Sequence, residues 1–152
     1  MSDNELGNIF TIGFTQKSAE TFFNLLRKHN VLTLLDVRLN NISQLSGFAK
    51  QQDLIYFLKE LCNVEYIHIL DWAPTKEMLS AYQKKEISWE IYEDKFLNLL
   101  AKRNIERDVT PEILTDSCLL CSEHKPHNCH RRLVVEYLKK ISGLNLSIKH
   151  LI

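Results

Sequence analysis

The sequence predicts an α/β fold: a single domain with a mainly parallel sheet of about five strands and helices on both faces, in the order βαβαβααβαβ. Three observations predict it. Short apolar runs of strand length alternate with helix-period patterns along all 152 residues. One run, residues 31–37 (VLTLLDV), is apolar almost throughout, as in a central parallel strand covered on both sides. Four glycines, three prolines and no internal repeat leave no linker to divide the chain. Residues 9–152 therefore read as one domain behind a flexible, polar N-terminus, residues 1–8.

Each element follows in order. Residues 8–12 form a first strand ending at Gly13. Ser18 can cap a helix to His29, with Phe22, Leu25, Leu26 and His29 at helical spacing. Residues 31–37 are the second strand, and a polar loop spans 38–47. A helix over 49–62 places Leu54, Phe57, Leu58 and Leu61 on one face. Residues 64–70 are the third strand. Thr75 and Ser88 cap a short helix and a long one reaching Asn104, with Tyr92, Phe96, Leu99 and Leu100 inward. Residues 113–121 hold the fourth strand. A helix over 130–142 turns Val134, Tyr137, Leu138 and Ile141 inward and stops at Gly143; residues 146–152 can be a last strand.

Composition narrows the function classes. No Gly-rich phosphate loop can be written from Gly7, Gly13, Gly47 and Gly143, and no cofactor is implied. No apolar run approaches the roughly 18 residues of a membrane span, and the N-terminus lacks an apolar signal core, so a cytoplasmic protein is expected. Net charge is zero, which argues against a nucleic-acid partner, since such proteins carry a broad basic footprint. The charge is uneven, however: residues 125–152 carry a net +5. That tilt fits a solvated helix face or a local site for a small anionic ligand.

In parallel sheets ligands bind where the strands end. Thr15 follows strand one, Asp36 and Arg38 end strand two, His68 ends strand three, and Cys121 with Glu123 ends strand four. Asp36 and Arg38 flank Val37 and face the same way. They form either a local ion pair or a ligand clamp, and their place at a strand end predicts more effect on ligand than on folding. His68 is either a core histidine or a ligand contact. Trp72, Tyr82 and Trp89 could pack inward or roof a planar ligand.

The densest chemistry is CLLCSEHKPHNCH, residues 118–130, which holds six of the chain's ten Cys and His. Three chemistries compete. A disulfide is disfavoured in a cytoplasmic chain with four cysteines, so reduced thiols are predicted. A metal could draw on Cys118, Cys121, His124, His127, Cys129 and His130, but Cys118 and Cys121, three apart in a strand, point to opposite faces and a second clean pair is missing. The third chemistry is a reactive thiol beside an anion pocket. Cys129 opens a helix, where unpaired N–H groups and the dipole favour negative charge and acidify a thiol. His130 and Arg131 add a titratable ring and an anion-binding fork.

Several stretches, in order, carry a resemblance: Thr11-Ile12-Gly13, Leu35-Asp36-Val37-Arg38, Phe48 with Lys50, Tyr66-Ile67-His68, and Leu119-Leu120-Cys121-x-Glu123 followed by Cys129-His130-Arg131. From Ile9 to Ile152 the chain resembles the bacterial and archaeal family known as domain of unknown function 488. The resemblance implies a compact prokaryotic α/β domain of unassigned role. It carries Cys121, Glu123, Cys129, His130 and Arg131, but not Cys118, His124 or His127. Two departures stand out: Phe14 replaces a histidine, and residues 39–43 (LNNIS) replace a Pro- and Arg-containing loop. Rhodaneses share the L-x-D-V-R stretch, but the residues after Cys121 do not match their active loop.

The expectation is thus a protein that binds a phosphate- or carboxylate-bearing small molecule, a nucleotide among the candidates, at the strand ends. Arg38 and Arg131 would clamp it, Asp36, His130, Thr15 and His68 would line it, and Cys121, Glu123 and Cys129 would be the catalytic candidates. The alternatives are a metal-binding module using Cys121, Cys129 and His130, and a nucleic-acid-associated interaction protein.

Overall fold

A computed structural model of the chain describes residues 5–40, 47–122 and 128–152. Glu123 lies outside the described residues, as does most of the 38–47 loop. The α/β fold is as predicted. Five strands, β1 (Glu5–Gly13), β2 (Thr33–Asp36), β3 (Glu65–His68), β4 (Ser117–Cys121) and β5 (Asn145–Leu151), form one sheet in the order β3-β2-β4-β1-β5. Every adjacent pair is parallel. The helices are α1 (Ala19–Lys28), α2 (Gln51–Phe57), α3 (Lys76–Gln83), α4 (Trp89–Arg103), α5 (Pro111–Leu114) and α6 (His130–Ser142).

The side-chain alternation of the strands builds two cores. Phe10, Ile12, Leu34, Cys118 and Leu120 pack with α1 and α2 through Phe22, Phe23, Leu26, Leu54 and Leu58. Ile9, Leu35, Leu119 and Cys121 face the other way, toward Tyr92, Phe96 and Leu100 of α4 and Leu133, Val134 and Leu138 of α6. Cys118 and Cys121 thus lie on opposite faces, as their spacing requires.

Several boundaries differ from the pattern. β1 begins at Glu5 rather than residue 8, because residues 5–12 pair with β5, and Gly7 takes φ +107° where the register shifts. Such edge pairing leaves no apolar signature. The helix expected over 49–62 is α2 followed by a π-helical turn, Leu58–Cys62, ended by Asn63 at φ 53°. The wider turn rotates Leu61 off the core face, so it is half exposed while Leu54 and Leu58 are buried. Residues 113 and 114, expected within the fourth strand, belong instead to the short helix α5, Pro111–Leu114. Thr110 accepts from the Ile113 N–H, and Pro111 occupies the first turn, where its missing donor costs nothing.

The connections decide where a crevice opens. β1 and β2 are each followed by helices on one face, and β4 is followed by α6 on the other. The chain therefore departs in opposite directions from the adjacent strands β2 and β4. In open parallel sheets the gap beyond such a pair is where ligands settle.

Candidate functional site: a crevice at the ends of β2 and β4

A cavity of about 270 Å³ occupies that position. Arg38 from the end of β2, Cys121 and Ser122 from the end of β4, and Cys129 and His130 from the start of α6 form its floor. Tyr82 of α3 and Trp89 and Tyr92 of α4 form an aromatic wall, with Trp89 stacked on Tyr92 at a 5.2 Å centroid distance. Ser88 caps α4, which fixes the turn presenting Trp89.

Arg38 and Asp36 do not leave the core as expected from a strand end. Arg38 is 2% exposed and Asp36 fully buried. Arg38 Nε and Nη2 donate to the two Asp36 carboxylate oxygens at 2.8 and 2.7 Å, and the Tyr66 hydroxyl donates to the same carboxylate. The ring of Phe14 lies under the guanidinium at 5.5 Å. Among the described residues, Arg38 Nη1 is the one buried side-chain polar atom without a partner.

The thiols are not reduced as predicted. Cys121 and Cys129 are joined as a disulfide, S–S 2.11 Å. The low cysteine count misled here, because the bond depends on the end of β4 and the start of α6, which only the fold brings together. Arg131, fully buried, directs Nη1 to both sulfurs at 3.8 Å and Nε to the Thr11 hydroxyl at 3.2 Å. Thr11 Oγ1 in turn lies 2.6 Å from His150 Nδ1. Arg131 therefore sits behind the disulfide and does not line the cavity.

His130 Nε2 donates to the Val37 carbonyl at 2.7 Å, tying the start of α6 to the end of β2. Burial lowers its pKa to about 4, with the Val37 bond opposing that fall, so the ring is neutral near pH 7. The ligand-type atoms of Cys121, Cys129 and His130 lie within 4.8 Å of one another. While the sulfurs are bonded to each other neither is a thiolate, so a metal there would require the bond to be reduced first.

Of the other expected residues, Thr15 Oγ1 donates to the Ser122 carbonyl at 2.8 Å, bracing the cavity wall from outside. His68 Nε2 donates to the Arg38 carbonyl at 2.9 Å. Trp72 is buried away from the cavity, whereas Tyr82 and Trp89 line it. Sequence reasoning did not reach Tyr66, Thr11 or His150 as partners of site residues. Thr11 had a weak signal, a polar residue at a core-facing position of a strand.

The profile of the family described as "Domain of unknown function DUF488" matches residues 18–138. The chain belongs to the DUF488 family. The crevice of this DUF488 protein is built almost wholly within the matched region, from Arg38 to His130. No curated protein and no solved structure matches the chain. Among the described residues no helix is long and apolar enough to cross a membrane.

Proposed function

We propose that this DUF488 protein binds a small planar molecule bearing a carboxylate or phosphate in the crevice between β2 and β4. One observation carries the reading: Arg38 Nη1 is buried beside the cavity without a partner, while the rest of the guanidinium is committed to Asp36. A buried unpaired donor costs about 1–3 kcal/mol, which a ligand oxygen would recover. The aromatic wall of Tyr82, Trp89 and Tyr92 suits the flat part of such a ligand. The N-terminus of α6, whose Cys129 makes no side-chain cap bond, adds positive potential on the same side. A purine or pyrimidine nucleoside monophosphate combines the two features. Arg131 contributes charge from behind the disulfide rather than a direct clamp.

The test is thermal denaturation with inorganic phosphate, then with nucleoside monophosphates. Saturation a hundredfold above the dissociation constant should stabilise the protein by about 2.7 kcal/mol. Arg38→Lys, which keeps the charge but loses the planar fork, should lose most of that gain. A melting point indifferent to every such anion removes the reading.

A further inference from the structure

We propose that the Cys121–Cys129 disulfide is a redox-active centre that exchanges with low-molecular-weight monothiols entering through the crevice, with Arg131 holding the thiolate it releases. This inference stands apart from any ligand on Arg38.

Position is the first argument. Both cysteines line the cavity, so a small thiol has a path to them. The bond joins positions eight apart in sequence, at the functional edge of a sheet that already has an apolar core on each face. A short loop gains less from closure than a long one, and the fold around it already has its cores, so stapling is not the bond's evident task.

The surroundings supply the second argument. A disulfide sulfur is neutral and a thiolate is an anion. A guanidinium 3.8 Å from both sulfurs strongly stabilises only the second. The guanidinium is held in place by the Thr11 hydroxyl, on the neighbouring strand β1. Cys129 is also the N-cap of the thirteen-residue α6, where the helix dipole favours an anion. The contrast lies on the same strand: Cys118, buried on the opposite face, has its thiol pKa pushed far up by burial.

The exchange balances as follows. A monothiolate attacks Cys129 Sγ, the S–S bond breaks, and Cys121 leaves with the electron pair as a thiolate against Arg131 Nη1. Cys121 is fixed in the central strand β4 with the guanidinium 3.8 Å away to take its negative charge, whereas Cys129 lies at the turn into α6, on the side from which the small thiol enters. A second monothiolate attacks the external sulfur of the mixed disulfide and departs as the oxidised small disulfide, leaving Cys129 as a thiolate. Two thiols lose two electrons and the protein pair gains them; the reverse sequence reoxidises the centre.

Glutathione serves as the probe. The folded protein should reach equilibrium with mixtures of reduced and oxidised glutathione while its circular dichroism stays native, as read by acid-quenched intact mass. Cys121→Ser incubated with oxidised glutathione should gain one glutathione on Cys129. In the reduced wild type, iodoacetamide at pH 6.5 should modify Cys129 at least tenfold faster than Cys62. Arg131→Lys should slow exchange less than Arg131→Met; should the latter fail to fold, the alkylation ratio in the wild type still decides. A disulfide that opens only when the protein unfolds overturns the proposal. So does a reduced protein that retains added zinc and resists reoxidation by oxidised glutathione, since the centre would then be a metal site.

Discussion

The Arg38 guanidinium clasps the Asp36 carboxylate through two hydrogen bonds, 2.8 Å from Nε and 2.7 Å from Nη2, with both side chains buried. The backbone N–H of Arg38 donates to the same carboxylate at 3.1 Å, so the pair also fixes the chain's exit from β2. A strand-end position alone suggests side chains free to serve a ligand; the buried pair makes them structural as well.

Breaking this pair should therefore be costly. Asp36→Asn and Arg38→Ala are each expected to destabilise the protein by about 3–5 kcal/mol, because each leaves an uncompensated buried charge or donor set. Urea denaturation measures it. A loss below about 1 kcal/mol for both would mean that water reaches the pair.

In protein kept oxidised, alkylation under denaturing conditions without reductant should modify two cysteines, Cys62 and Cys118. Under native conditions both should react slowly. Burial raises the pKa of each, and the Cys62 thiol also lies 3.7 Å from the Phe23 carbonyl that it donates to. Peptide mapping after reduction should recover Cys121 and Cys129 unmodified. Four labelled sites would contradict the disulfide.

His130 makes stability pH-dependent. Its folded pKa is lowered to about 4, whereas the unfolded ring titrates near 6.5. Between these values the unfolded chain takes up a proton that the folded one refuses. Stability is thus full above pH 6.5 and falls as pH drops toward 4, by at most about 3 kcal/mol. His29 and His150, also lowered by burial, act in the same direction. His130→Gln, which can still donate to the Val37 carbonyl, should flatten the curve relative to wild type across that window. Parallel curves would reassign the dependence to other groups.

Gly143 ends α6 at φ +70°, and nothing lies within 4 Å of where a Cβ would be. Gly143→Ala should cost about 1 kcal/mol from backbone conformation alone, and Gly143→Asn less, since asparagine tolerates the left-handed region. Equal losses for both would point to a contact rather than to backbone.

Much of the fold is legible in local pattern. Caps at Ser18, Thr75 and Ser88 and the stop at Gly143 lie where residue type alone places them, because a cap is satisfied within one turn of chain. The run around Leu34 and Leu35 reads as a central strand because both faces are covered. The strand at Glu5 and the π-helical turn at Leu58–Cys62 are not legible, since pairing with β5 and packing under α1 select them.

The sequence by itself determined the α/β order, the family, and the gathering of Asp36, Arg38, Cys121, Cys129 and His130 at strand ends, because alternation and parallel connection place those positions on one edge. Only the tertiary structure decided how those residues divide their work. In sequence Arg38 follows the second strand and Arg131 opens the last helix, and both read as anion clamps at one edge of the sheet. In space one grips Asp36 beside a cavity, and the other lies behind a disulfide on Thr11. Strand order and register set that difference, bringing β2, β4 and β1 side by side across more than a hundred residues of chain, and no local pattern encodes a neighbour so far away.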